Sequence, residues 1–117
     1  FLSDGPVYAN VDKEQWSRII HNLVKNALQS IPEGRIPEIE VRVRKTFGKG
    51  IITVSDNGTG VSDEMKDHIF EPNFTTKSSG MGLGLAMVRN LIQNFGGTIS
   101  FENQDKGASF TITIPTQ

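Results

Sequence analysis

The chain has 117 residues, a length that suits one domain with a real hydrophobic core and not two. Its 12 Lys and Arg against 13 Asp and Glu leave a formal charge of −1, so it presents no electrostatic footprint for nucleic acid or an anionic membrane. It has no cysteine, which excludes disulfides and thiolate metal sites, and no apolar run approaches the ~20 residues that cross a bilayer. The first residues, Phe1-Leu2-Ser3-Asp4-Gly5-Pro6, carry neither an initiator Met nor a basic-then-apolar leader, as expected of a piece of a longer protein.

In chain order, Val7-Tyr8-Ala9 is a short strand candidate. Asp12 then stands at an N-cap position with Gln15 three residues on, the spacing of a capping box. Trp16, Ile19, Ile20, Leu23, Val24, Ala27, Leu28 and Ile31 follow at intervals of three and four. That period predicts a helix with one buried stripe, stopped by Pro32-Glu33-Gly34. Residues 38–44 alternate, with Ile39, Val41 and Val43 inward, and predict a strand with one solvated face. A turn over 47–50 and a second strand over 51–55 complete a hairpin.

Residues 63–69 read as a short helix capped by Ser62. Residues 70–82 have no periodicity, and a loop of that length in a small domain carries function or is disordered. A second amphipathic helix spans 83–95 (Leu85, Val88, Leu91, Ile92, Phe95) and stops at Gly96-Gly97. Strands over 98–102 and 108–114, joined by a turn over 103–107, form a second hairpin. Hairpins mixed with helices predict an α/β fold, a two-layer sandwich of one mixed sheet with its helices on one face.

Four features carry chemistry. Asn22 and Asn26 lie four apart on one face of the first helix, beside its apolar stripe. Mg²⁺ takes hard oxygen ligands and keeps several waters, so one amide oxygen with phosphate oxygens can hold it. Two solvated asparagines would give the same pattern, although Asn is a middling helix former. Asp56-Asn57-Gly58-Thr59-Gly60 closes a strand. Such a turn is common after strands. A buried carboxylate there is acceptor-only, pairs with an exocyclic amino group such as that of adenine, and meets guanine's oxygen as acceptor against acceptor.

Gly80-Met81-Gly82-Leu83-Gly84-Leu85 runs into a helix start, where unpaired amides and the helix dipole favour phosphate. It is neither a dinucleotide fingerprint nor a phosphate loop of the G-x-x-x-x-G-K-[ST] type. Between these motifs, Phe70-Glu71-Pro72-Asn73-Phe74-Thr75-Thr76-Lys77 places a lysine and two threonines where a closing loop could reach a terminal phosphate. His21 and His68 lack the partners of a catalytic triad and read as surface helix residues, and Trp16 as core.

Over nearly its full length the chain resembles the ATP-binding catalytic domain of two-component sensor histidine kinases, in the superfamily that also holds gyrase, Hsp90 and MutL ATPases. Asn22 to Ala27 is similar to that family's N box, Asp56 to Gly60 to its G1 box, Phe70 to Phe74 to its F box and Gly80 to Leu85 to its G2 box. Gly107-Ala108-Ser109-Phe110 resembles the weaker last box, and Glu71 to Lys77 is similar to kinases of the nitrogen-regulation type. The resemblance implies the ATP-binding sandwich with a mobile lid between the two long helices. It implies ATP and Mg²⁺ as cofactors, with Mg²⁺ on Asn26, adenine on Asp56 and the γ-phosphate under Lys77.

By the same matching, Gly58, Gly60, Phe70, Thr76, Gly80, Gly82, Leu83, Gly84 and Leu85 line the nucleotide. Asn73 departs from the aromatic found in many relatives. Ala108 replaces the usual last-box Ser or Thr, so a hydroxyl near the base comes from Ser109 or is absent. Asn22 stands where hydrolytic members carry a Glu base, and an amide cannot take a proton from water, so standalone ATP hydrolysis is not expected. The implied partners are the protein's own dimerisation and phosphoacceptor domain, as a homodimer, and a response regulator, in the cytoplasm, whether or not the parent is anchored in the inner membrane. An anti-sigma type of serine-protein kinase, or a nucleotide-binding regulatory module without catalysis, would share the same site.

Overall fold

Asp12 starts the first helix as its position predicts. In the computed structural model its side chain accepts a 2.9 Å hydrogen bond from the Gln15 amide, and α1 runs Lys13–Ser30. The structure describes residues 2–3, 11–61, 64, 68–71, 81–104 and 107–116; of residues 2–3 and 81–84 it describes the backbone alone. The strand candidate at Val7, most of the expected 63–69 helix with its cap Ser62, and the loop residues Phe74, Thr76, Lys77 and Gly80 lie outside them. The described part of that short-helix span, Glu64 and His68 to Ile69, is turn rather than helix.

Two residues not anticipated as a strand, Leu2–Ser3, form β1 and pair parallel with β2 (Ile39–Thr46). β2 pairs antiparallel with β3 (Lys49–Asp56), which pairs with β5 (Gly107–Pro115), and β5 with β4 (Thr98–Gln104). The sheet order is therefore β1-β2-β3-β5-β4, mixed as the sequence predicts. The first hairpin is tighter than expected. Thr46 pairs with Lys49, leaving only Phe47 and Gly48 in the turn, both at positive φ (44° and 77°). Two such residues match the right-handed twist of the strands they join.

Strand alternation decides where the core sits. Gly50, Ile52, Val54 and Asp56 of β3 are buried on one face, with Ala108, Phe110, Ile112 and Ile114 of β5 beside them. Ile19 and Leu23 of α1 and Leu85, Val88 and Ile92 of α2 (Met81–Asn94) pack against that face. Trp16 joins them partly buried. Each such side chain contributes about 1.5–3 kcal/mol on burial. The fold is the two-layer α/β sandwich, and its buried layer ends at Asp56.

The second helix begins two residues earlier than its periodicity predicts, so Gly82 joins Gly84 in its first turn and does not precede it. First-turn amides have no partner within a helix, and there a glycine forfeits less than in the interior. At the other end the Gly97 amide reaches the Ile92 carbonyl at 2.9 Å and the Gly96 amide the Gln93 carbonyl at 3.0 Å, with Gly96 at φ 80°. This is a Schellman stop, as the paired glycines predict.

Candidate functional site

The site is built around the turn that follows β3. Asp56 is 7% exposed, and its Oδ1 accepts the Gly58 amide at 2.8 Å, which folds the chain back beneath the carboxylate. Among the described residues both hydrogen bonds to this side chain fall on Oδ1. Oδ2 is thereby left as an acceptor for something else.

Three neighbours hold the turn. From α1, the Ser30 carbonyl accepts the Thr59 amide at 3.1 Å. From the loop after α1, Arg35 Nη1 donates to the Asn57 carbonyl at 2.6 Å and to that of Gly58 at 3.3 Å. Asn57 answers with its side chain, donating to the Ile36 carbonyl at 2.9 Å and accepting the Glu38 amide at 3.0 Å. From β4, Asn103 grips both ends of Val61, accepting its amide at 2.9 Å and donating to its carbonyl at 2.5 Å. Asn103 was expected in a turn; it lies within β4, opposite Ala108.

The glycines follow from this crowding. A Cβ on Gly58 would lie 2.6 Å from the Ser30 carbonyl oxygen, and Gly60 sits at φ 72° with Asn103 Oδ1 where a Cβ would go. Gly107, at φ 140°, lies against the Asp56 backbone, and a Cβ there would be 2.8 Å from the Asp56 carbonyl carbon. Gly107→Ala is therefore expected to cost about 2 kcal/mol or more, from strain and clash together. A thermal melt equal to that of the unchanged protein would show that the strand can yield.

Asn22 and Asn26 are half-buried on α1. Asn22 Nδ2 donates to the Arg18 carbonyl at 2.8 Å, which leaves its oxygen outward from the helix backbone. Asn26 precedes Ser30 by four residues, so it stands one helical turn, about 5.4 Å, from the point where α1 meets Asp56. Phe70 packs edge-on against Phe110 (6.1 Å, 80°), and the Arg89 guanidinium lies 5.8 Å from its ring centre. Arg89 Nε is buried without a hydrogen-bond partner among the described residues, so the ring is its main compensation there.

Leu85, expected beside the nucleotide, is 5% exposed and belongs to the core. The backbones of Gly82, Leu83 and Gly84 form the first turn of α2, where amides without a partner in the helix can donate to an anion. His21 is exposed; His68 is exposed in a turn, not a helix, 2.9 Å from Glu71 Oε1.

Ser109 is not brought to this site. It pairs with Ser55, and the two hydroxyls lie 3.4 Å apart on the sheet face away from the helices. Ala108, opposite Asp56, occupies the inward position instead. Ser30, Asn57, Asn103 and Arg35 were not singled out from the sequence. Only the Asn-Gly pair after a strand pointed to one of them.

The described chain thus offers a buried carboxylate at the end of β3, two half-buried asparagines along α1 and a glycine-rich first turn of α2. The model of the histidine kinase-, DNA gyrase B- and HSP90-like ATPases matches residues 11–117. The chain belongs to that ATPase family. It is an ATP-binding catalytic domain of the histidine kinase type. It is 38% identical over 116 residues to sporulation kinase D of Bacillus subtilis, covering 98% of this chain and 22% of that protein. It is 34% identical over 123 residues to the sensory histidine kinase/phosphatase NtrB of Azospirillum brasilense, covering 94% of this chain and 30% of that protein.

The nucleotide-free catalytic domain of histidine kinase ThkA superposes with a TM-score of 0.87 at 32% identity, over 98% of this chain and 76% of that one. ThkA in complex with the response regulator protein TrrA gives 0.81 at 29% identity, over 98% and 33%. The chain thus spans between 16% and 30% of the length of the curated relatives it matches.

Proposed function

We propose that this domain binds Mg-ATP between α1 and α2 and donates its γ-phosphoryl group to a histidine on a separate dimerisation and phosphoacceptor domain. A response regulator then receives it, a partner suggested by the complex of the ThkA relative. The observation that carries the reading is the buried Asp56 carboxylate, held through Oδ1 beside Ser30, which lies one turn along α1 from Asn26, and with no partner on Oδ2 among the described residues.

Asp56 Oδ2 accepts the adenine amino group, and the first-turn amides of α2 take phosphate oxygens. The donor set suits Mg²⁺ that arrives with the nucleotide: no cluster of three or more His, Cys, Asp or Glu occurs among the described residues. Asn26 would then offer one amide oxygen beside phosphate and water. Bound Mg²⁺ supplies charge neutralisation along the triphosphate. Lys77 and Thr76 would close over the γ-phosphate. Asn22, an amide that already donates to its own helix, takes no proton from water. The phosphorus–oxygen bond to the β-phosphate breaks, the bond to the acceptor imidazole nitrogen forms, and ADP leaves.

No helix among the described residues is long and apolar enough to cross a membrane. A domain that consumes ATP works where ATP is abundant, so we place it on the cytoplasmic side. Mixed with a dimerisation domain that carries the acceptor histidine, the chain is expected to produce alkali-stable, acid-labile phosphate from γ-labelled ATP, and none when alone. Acid-stable phosphoserine on a partner would instead favour a serine kinase of the same fold.

A further inference from the structure

Ser30 closes the last turn of α1 and meets the 56–61 turn twice. Its Oγ donates to the Ala27 carbonyl at 2.8 Å and stands 3.4 Å from Asp56 Oδ1, while its carbonyl takes the Thr59 amide at 3.1 Å. A hydroxyl has a single hydrogen, so one proton is shared between a helix carbonyl and a carboxylate. Ser30 also follows Asn26 by one turn on the same face of the helix. One side chain therefore links the helix expected to face the metal with the carboxylate expected to face the base.

We propose that Ser30 is a positioning residue for base selection: with the Gly58 amide it holds Oδ1 of Asp56 and so turns Oδ2 toward the exocyclic amino group of a 6-aminopurine nucleotide. This rests on the reading of Asp56 given above. The terminal torsion of an aspartate is soft and roughly twofold, so an unrestrained carboxylate presents either oxygen at many angles. Two contacts on one oxygen from different elements, a strand turn and a helix end, remove that freedom. No strand hydroxyl can substitute, because Ser109 occupies the opposite face and Ala108 the near one.

Calorimetric titration with ATP and with purine riboside triphosphate, which lacks the amino group, tests the assignment in the presence of Mg²⁺. In Ser30→Ala the affinity for ATP is expected to fall about fivefold while that for purine riboside triphosphate holds, the size of one ordinary hydrogen bond, as suits a 3.4 Å contact. Ser30→Thr, which keeps the hydroxyl, is expected to retain the preference for ATP. An equal loss for both nucleotides would make Ser30 a packing residue only, and no loss for either would give it no role; either result overturns the proposal. If the unchanged protein fails to prefer ATP over purine riboside triphosphate, the reading of Asp56 falls, and the role of Ser30 with it.

Discussion

Asp56→Asn is expected to weaken ATP binding by about 10- to 100-fold and to erase most of the preference for ATP over GTP. The carboxylate is acceptor-only: Oδ1 accepts the Gly58 amide at 2.8 Å with Ser30 Oγ at 3.4 Å, and Oδ2 faces, in the proposed complex, the adenine amino group. An amide has one oxygen. If it stays on Gly58, the new NH₂ group points at the adenine amino group, donor against donor. If it flips, the clash moves to the Gly58 amide in a buried position. Guanine gains at the same time, since its exocyclic carbonyl oxygen can accept from the new NH₂. Titration of the variant with both nucleotides decides the matter: ATP selected over GTP as sharply as before would mean that another group reads the base.

Asn26→Ala is expected to remove most of the Mg²⁺-dependent part of ATP affinity, about tenfold or more, and to leave the metal-free part unchanged. Asn26 is half-buried on α1, and Ala is the better helix former, so the helix itself should persist. Comparing titrations with Mg²⁺ and with a chelator isolates the metal contribution. If the variant keeps the full difference between the two conditions, Asn26 does not reach the ion.

How far the sequence could be read varied with the distance over which each feature is set. The Asp12 cap, the apolar stripe and the Gly96-Gly97 stop are short-range features that occur where spacing places them, except that Leu28, expected within the buried stripe, is 49% exposed. α2 starts at Met81, ahead of the first position its apolar period marks, because Gly82 costs little in a first turn. β1 escaped notice because two residues carry no period, and its pairing with β2 rests on a contact about 40 positions away. Ser109 was within reach of the sequence: with Phe110, Ile112 and Ile114 inward, alternation alone sends position 109 outward.

From its own order of residues the chain determined two amphipathic helices, two hairpins, and which side chains could hold a base, a metal and a phosphate. Those are matters of period, capping and functional-group chemistry, and they act over a few positions. The identity of the hydroxyl beside Asp56, the grip of Asn103 on Val61 and the need for a bare backbone at Gly107 were decided only when strands took register and α1 settled on the sheet. The Ser30–Asp56 contact spans 26 residues and the Asn103–Val61 contact 42, so no local pattern encodes them; closing such distances depends on the whole core packing at once.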